Sequence, residues 1–299
     1  MWKINSFIQK QPILTYFKIF VIVLFPFFTK AQQINSGLLW EISGNGLEKP
    51  SYIFGTIHLI CPDNFFLPAG TEDKFKTAQQ VYLEIDMDDP QMMMKAQKLM
   101  LSVDGKKLKD LMKEADYKTF SEYFKKTIGM DVAMFGSAKP MLYMSVALMK
   151  TAGCAIPKSY EDYFAKQAKE IKLEIYGLEA IEEQMELMDK APVEQQIAWL
   201  MDLVTEATKE NDTYQQMLTL YKNQDIESLT KMIGEEMVGM KGLKEEMLVN
   251  RNKKWIPLIE KISLEKPTFF AVGAGHLGGE QGVLKFLQLK GYSVKRVEK

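Results

Sequence analysis

The chain of 299 residues has only two histidines, His58 and His276, and both sit in the same local setting. His58 ends the run Tyr52-Ile-Phe-Gly-Thr-Ile-His58, and His276 ends Phe269-Phe-Ala-Val-Gly-Ala-Gly-His276. Each follows an apolar, strand-like stretch and has a glycine three residues before it, Gly55 and Gly273. At ordinary glycine usage, chance gives both histidines this spacing roughly 0.5% of the time, so the two motifs read as a matched pair. One such histidine alone is as well explained by a satisfied structural role; the pair favours chemistry. Glycine lets a chain turn sharply as it leaves a strand, and the carboxyl edge of an open α/β sheet is where ligands bind. Two imidazoles delivered there from neighbouring strands can meet. Carboxylates accompany them. Glu84 lies within Val81 to Asp86, in phase with Tyr82 and Asp86, and a charge inside a sheet strand is costly unless it is paired or metal-bound. Glu179 follows the strand-like stretch ending Tyr176-Gly177-Leu178. Two histidines with one or two carboxylates form a common ligand set for Zn, Mn, Fe or Co that leaves a position open for water. A metal so held makes a nucleophile from water near neutral pH. His58, Glu84, His276 and Glu179 are therefore the candidate ligands, with Glu84 either a third ligand or the general base. Asp86, Asp88 and Asp89 read as a solvated strand exit.

Other motifs are weaker. Gly273-Ala-Gly-His-Leu-Gly278 matches G-x-G-x-x-G, but a dinucleotide site needs a full βαβ unit with an acid about 20 residues on. Only 21 residues follow Gly278, so the motif closes the chain and does not open a nucleotide domain. Its glycines are expected to offer backbone N–H groups to a developing oxyanion. No G-x-S-x-G, H-E-x-x-H or G-K-[ST] occurs. Cys61 and Cys154 are the only cysteines, and they read either as one bridge closing a long loop or as two buried thiols. Cys61 is three residues after His58, which also permits a thiol ligand or nucleophile, a reading ranked below the other two.

The elements that would position these residues are legible in outline. Leu38 to Ile42 and Ser51 to Thr56 read as strands of a hairpin around Gly44, Asn45, Gly46 and Pro50. Gly70 to Gln80 reads as a short helix and Val81 to Asp86 as a strand. From Pro90 to about Ser263 the text is helical, interrupted by a strand at Leu173 to Leu178. A buried strand at Thr268 to Val272, a helix at Val283 to Lys290 and a strand at Tyr292 to Val297 complete the chain. The expectation is an α/β fold: a mixed β-sheet core formed by both ends of the chain, flanked by helices, with a mainly helical insert at about 90–263 in a single domain, 32–299. The 20 methionines fall mainly in the helical part and read as irregular core filling.

Composition narrows the classes. Hydrophobic residues make up 46% and charged residues 26% of the chain, as in ordinary globular proteins. With 38 Lys+Arg against 39 Asp+Glu there is no basic surplus to recommend a nucleic-acid partner. Residues 1–31 read as a signal peptide: Lys3, Lys10 and Lys18, an apolar stretch from Ile19 to Phe28, then Thr29-Lys30-Ala31 before a cut at Gln32. The apolar run of ten residues is short of the ~20 a spanning helix needs, so no stable membrane span is expected after cleavage. The mature protein is expected to be exported: periplasmic, envelope-associated or secreted.

Taken in order, these residues resemble the TraB/PrgY/GumN family, which includes the Tiki metalloproteases. The resemblance runs from Leu39-Trp40 and Ser51-Tyr-Ile-Phe-Gly-Thr-Ile-His58 through Leu83-Glu84 and Gly177-Leu178-Glu179, with Glu182, Glu183 and Gln184. It continues through Asn250-Arg251-Asn252 and Trp255 to Val272-Gly-Ala-Gly-His276-Leu and Gly291-Tyr-Ser-Val. The resemblance implies an exported metal-dependent hydrolase acting on a peptide or protein substrate. Two G-x-x-H histidines and the strand glutamate would form the centre, with a divalent Mn, Co or Zn ion. It further implies that Glu179 and Arg251 lie close by, Arg251 to hold a substrate carboxylate or stabilise an oxyanion. Where the family often has Asp ahead of the Glu179 strand, this sequence offers Glu161. The competing reading is a non-catalytic peptide- or haem-binding envelope or regulatory protein.

Overall fold

The computed structural model describes residues 36–206, 213–236 and 244–298; the proposed leader at 1–31 lies outside them. Six strands form one sheet in the order β4-β3-β5-β2-β1-β6. They are β1 (Leu39–Ser43), β2 (Ser51–Thr56), β3 (Gln80–Ile85), β4 (Ile175–Glu179), β5 (Thr268–Gly273) and β6 (Ser293–Arg296). β1 runs antiparallel to both β2 and β6, whereas β2, β5, β3 and β4 are mutually parallel. The sheet is thus mixed and drawn from both ends of the chain, and the structure has the α/β class expected. Every expected strand is present within about two residues. The β1–β2 hairpin turns where Gly44, Asn45 and Gly46 all adopt positive φ, a conformation that glycine and asparagine tolerate best.

The central parallel strands β2 and β5 are covered on both faces and accordingly read as apolar runs. All of β2 is buried, as are Thr268 to Val272 of β5. Neighbouring residues point to opposite faces. Phe269 packs with Phe54, Phe75 and Phe164 on one face, while Phe270 meets Tyr82, itself stacked on Tyr176, on the other. The helices between β3 and β5 add a second apolar core around Leu108, Phe120, Phe124, Tyr143 and Leu200. The methionines only partly follow the expectation of core filling. Met112 and Met185 are buried, but helix Met92–Leu99 buries none of its residues and leaves Met93 and Met94 largely in solvent. Among the described residues, no helix is long and apolar enough to cross a membrane.

The register matters most for function. β2 and β5 align Gly55 with Val272 and Thr56 with Gly273, so the two G-x-x-H segments leave the sheet side by side. β3 lies on the other flank of β5, with Leu83 opposite Ala271, so Glu84 reaches the same edge. β4 pairs with β3, Ile85 opposite Glu179, and brings the fourth segment.

Cys61 and Cys154 are joined in a disulfide, which settles the alternatives for this pair and removes Cys61 as a thiol ligand or nucleophile. Just beside it, Ile60 and Lys158 exchange two backbone hydrogen bonds, at 3.0 and 2.7 Å. The bridge closes a separation of 93 residues. Reduction, or the Cys61→Ser/Cys154→Ser variant, is expected to lower unfolding free energy by about 4–5 kcal/mol on the chain-entropy argument. Urea unfolding with and without reductant measures this, and an unchanged midpoint would contradict it.

Candidate metal centre

The two histidines share a motif but are held differently. β2 ends at Thr56, and two residues on His58 turns its Nδ1 to Glu161 Oε1 at 2.9 Å. Glu161 lies in the first turn of helix Tyr160–Glu170, where the positive end of the helix favours a carboxylate. Ser159 caps that helix through the Asp162 N–H and also donates to Glu161 Oε2 at 2.8 Å. Thr56 Oγ1 donates to Oε1 at 2.6 Å. Burial would raise the Glu161 pKa, but His58 and these donors overcome it and keep the carboxylate ionised. A carboxylate only accepts, so His58 Nδ1 carries a hydrogen and Nε2 faces the site. The His58 side chain keeps 67% of its surface open, so Glu161 and not burial governs it and raises its pKa.

His276 sits in a 3₁₀ turn, Ala274–His276, directly after β5, and is buried. Its Nδ1 meets Asn252 Oδ1 at 2.7 Å. An amide oxygen also only accepts, so Nδ1 carries the hydrogen and Nε2 keeps its lone pair. Burial pushes the His276 pKa down to about 3, and the imidazole is neutral. Metal-ligating histidines have this arrangement, the second nitrogen tied to a carboxylate, carbonyl or amide that fixes the tautomer.

Glu84 Oε1 accepts from the Gly273 N–H at 2.7 Å, and Oε2 accepts from Gln184 at 3.2 Å and from Arg251. Burial opposes its charge, but His276, Arg251, His58 and the Gly273 N–H hold its pKa at about 2. Glu179 accepts from Gln184 at 2.7 Å, from Arg251 Nε at 3.0 Å and NH2, and from Trp255 Nε1 at 3.3 Å. Arg251 opens helix Arg251–Glu265, directly after a π-helical turn, Glu245–Asn250. Its NH1 approaches His276 Nε2 at 3.1 Å, and the guanidinium lies 4.8 Å from the Trp255 ring. All five residues singled out from the sequence thus gather at one edge of the sheet.

Both motif glycines act through close approach and not, as expected, by turning the chain. A Cβ on Gly55 would stand 2.8 Å from Leu277 and 3.0 Å from Ala274, so this glycine lets the segment after β5 lie against β2. A Cβ on Gly273 would stand 3.2 Å from Glu84 Oε1, 3.6 Å from His276 and 3.9 Å from His58 Nε2. Gly273 therefore keeps open the space that three potential ligands share. Its N–H goes to Glu84 and is therefore not free for an oxyanion. Among the described residues, no three His, Cys, Asp or Glu side chains stand as a ready-made metal shell. His276 Nε2 and Glu84 Oε1 are 3.9 Å apart, with Arg251 between the acidic groups and His276. The donor chemistry nonetheless fits a divalent ion that displaces the proton from His58 Nε2: two oriented imidazole rings, one ionised carboxylate, and an open cradle between them.

Sequence reasoning assigned no role to Asn252, Gln184, Trp255 or Glu161. Ser159-Tyr-Glu161 at a helix start was the one local signal for Glu161. Asn252 is adjacent to Arg251, and adjacent helical residues diverge by about 100° around the axis, so nothing in the spacing joins both to one site. Asp88 pairs with Lys169 in solvent, in line with a solvated strand exit, while Asp89 pairs with Lys95 in a half-buried position.

The chain is thus an α/β protein whose six-stranded mixed sheet carries two G-x-x-H segments and a buried Glu–Arg–Glu cluster at one edge. The TraB/PrgY/gumN family model matches residues 38–296, and the chain belongs to that family. Among curated proteins it is similar to the Metalloprotease TIKI1 of Danio rerio, with 23% identity over 89% of this chain and 64% of the relative. It is also similar to the Metalloprotease TIKI1 of Xenopus tropicalis, 24% identical over 89% of this chain and 62% of the relative. The Metalloprotease TIKI2 of Danio rerio is 21% identical over the same shares. The chain thus spans a little over three-fifths of the length of these relatives. No solved structure matches.

The site makes stability depend on pH. His276, lowered to about 3, contributes stability that is complete above its unfolded value of 6.5 and is lost as pH falls toward 3. Glu84, lowered to about 2, acts in the same direction between 4.5 and 2. His58 is raised, so its contribution is complete below 6.5 and fades at higher pH. Unfolding followed in the presence of chelator should give maximum stability near neutrality. The acid limb from His276 alone should amount to the order of 4 kcal/mol, and it should flatten in His276→Gln.

Proposed function

We propose that the protein is a metal-dependent hydrolase that cleaves peptide bonds in a peptide or protein substrate. His58 Nε2, His276 Nε2 and Glu84 would hold a divalent ion: Mn, Co or Zn. The observation that carries this reading is the cradle over Gly273, bordered by both imidazoles and by Glu84 Oε1. The family relationship and the metalloprotease names of the similar proteins support it. A divalent ion there would act as a Lewis acid and lower the pKa of water to near neutrality. Glu84 suits a ligand better than a general base. A carboxylate held at about 2 takes up a proton poorly near pH 7 but offers a full negative charge. Glu161 and Asn252 orient the two rings through their Nδ1 atoms. Arg251 brings a planar set of N–H donors to the site, suited to the oxygen that gains charge as an amide carbonyl is attacked. Export through cleavage of residues 1–31 belongs to the same reading, and an oxidising compartment suits the Cys61–Cys154 bridge.

Purified protein loaded in turn with Mn, Co and Zn should retain close to one ion per chain and cut members of a peptide library. His58→Ala, His276→Ala and Glu84→Gln should each lower kcat/KM by about 10³-fold or more with folding retained. Full activity in both histidine variants would sink the assignment. A retained but uncut peptide would favour a binding protein.

A further inference from the structure

We propose that Glu179 is a positioning residue and not a metal ligand: it anchors Arg251 when a divalent ion takes the His276 lone pair from it, an inference that rests on reading this site as a metal centre. The guanidinium and an incoming ion claim the same electrons. Arg251 NH1 lies 3.1 Å from His276 Nε2, while NH2 donates to Glu84. The imidazole has a single lone pair at that nitrogen, so it cannot accept from Arg251 and ligate an ion together. A second cation on Glu84 is also repelled by the first. Loading is therefore an exchange in which the guanidinium gives up His276 and loosens its hold on Glu84.

The remaining contacts of Arg251 are arranged to retain it. Its Nε and NH2 donate to Glu179, and NH1 donates to the Met247 carbonyl at 3.0 Å. The Trp255 ring lies against the guanidinium. Gln184 and Trp255 hold the Glu179 carboxylate in turn. None of these contacts uses Glu84 or His276, so all of them survive the exchange. The arginine then keeps its place beside the cradle, and the N–H that had faced His276 is free for a substrate oxygen. Until an ion arrives, the same group supplies the positive charge that the buried Glu84 requires. This accounts for ligand groups that lie together without forming a ready-made metal shell.

Calorimetric titration of the full chain with MnCl₂, CoCl₂ and ZnCl₂ tests the exchange in three proteins: the parent, Arg251→Met and Arg251→Met/Glu179→Gln. With its competitor gone, Arg251→Met should bind the ions at least tenfold more tightly than the parent. That variant buries two uncompensated carboxylates. The double variant removes one of these charges and keeps the test readable if the single variant does not fold. Binding by the double variant as tight as the parent's or tighter supports the proposal. Weaker binding makes Glu179 a ligand and overturns it. A parent that binds metal beside an Arg251→Met that binds no more tightly overturns the exchange alone. A parent that binds none of the three ions fails the metal-centre reading, and the exchange with it.

Discussion

Two buried carboxylates on adjacent strands share one guanidinium, and much of the local architecture follows from that arrangement. Glu84 and Glu179 stand at the ends of β3 and β4, almost out of reach of water. Either charge alone would cost several kcal/mol to desolvate. Arg251 compensates both, and the remaining acceptor positions are taken by a backbone N–H, an amide and an indole. This requirement fixes where helix Arg251–Glu265 begins and how it turns against the sheet. Trp255, one turn on, lies under the guanidinium, and Asn252 reaches His276.

The paired motifs show how far a repeated sequence can diverge in chemistry. Both histidines leave neighbouring parallel strands after a G-x-x-H segment, and both present Nε2 to the same space. Their Nδ1 partners differ: an ionised carboxylate for His58, a neutral amide for His276. The first partner favours the imidazolium; the second, in a dry setting, favours the neutral ring. One site therefore holds one imidazole poised toward each charge state, although the local sequences are nearly the same.

Much of this was legible in the sequence because it rests on local signals. Strands such as β2 and β5 are apolar runs bounded by turn residues, and the hairpin is marked by Gly44-Asn45-Gly46. His58, Glu84, Glu179 and His276 could be placed at one sheet edge because each ends or follows such a strand. The parts that were hidden depend on tertiary approach. Nothing near Asn252 announces His276, 24 residues away, and nothing near Gln184 announces that it joins Glu179 to Glu84, 100 residues away. The glycines were singled out for the wrong physical reason, since close packing between β2 and the segment after β5 is visible only once the register is known. Cysteine pairing likewise needed the Ile60–Lys158 contact that brings the two segments together.

The position of β5 has a consequence for the order in which the protein comes into being. β2 and β3 are made early but do not touch each other in the sheet; β5, more than 180 residues after β3, fills the slot between them. A growing chain therefore carries two of its parallel strands with unpaired edges until the last part of synthesis, a long-range closure of the slow kind. His58, Glu84 and Arg251 all exist before that closure, but the cradle between them does not. A nascent or prematurely ended chain has these side chains without the geometry, so the shared space beside Gly273 forms only with completion of the fold.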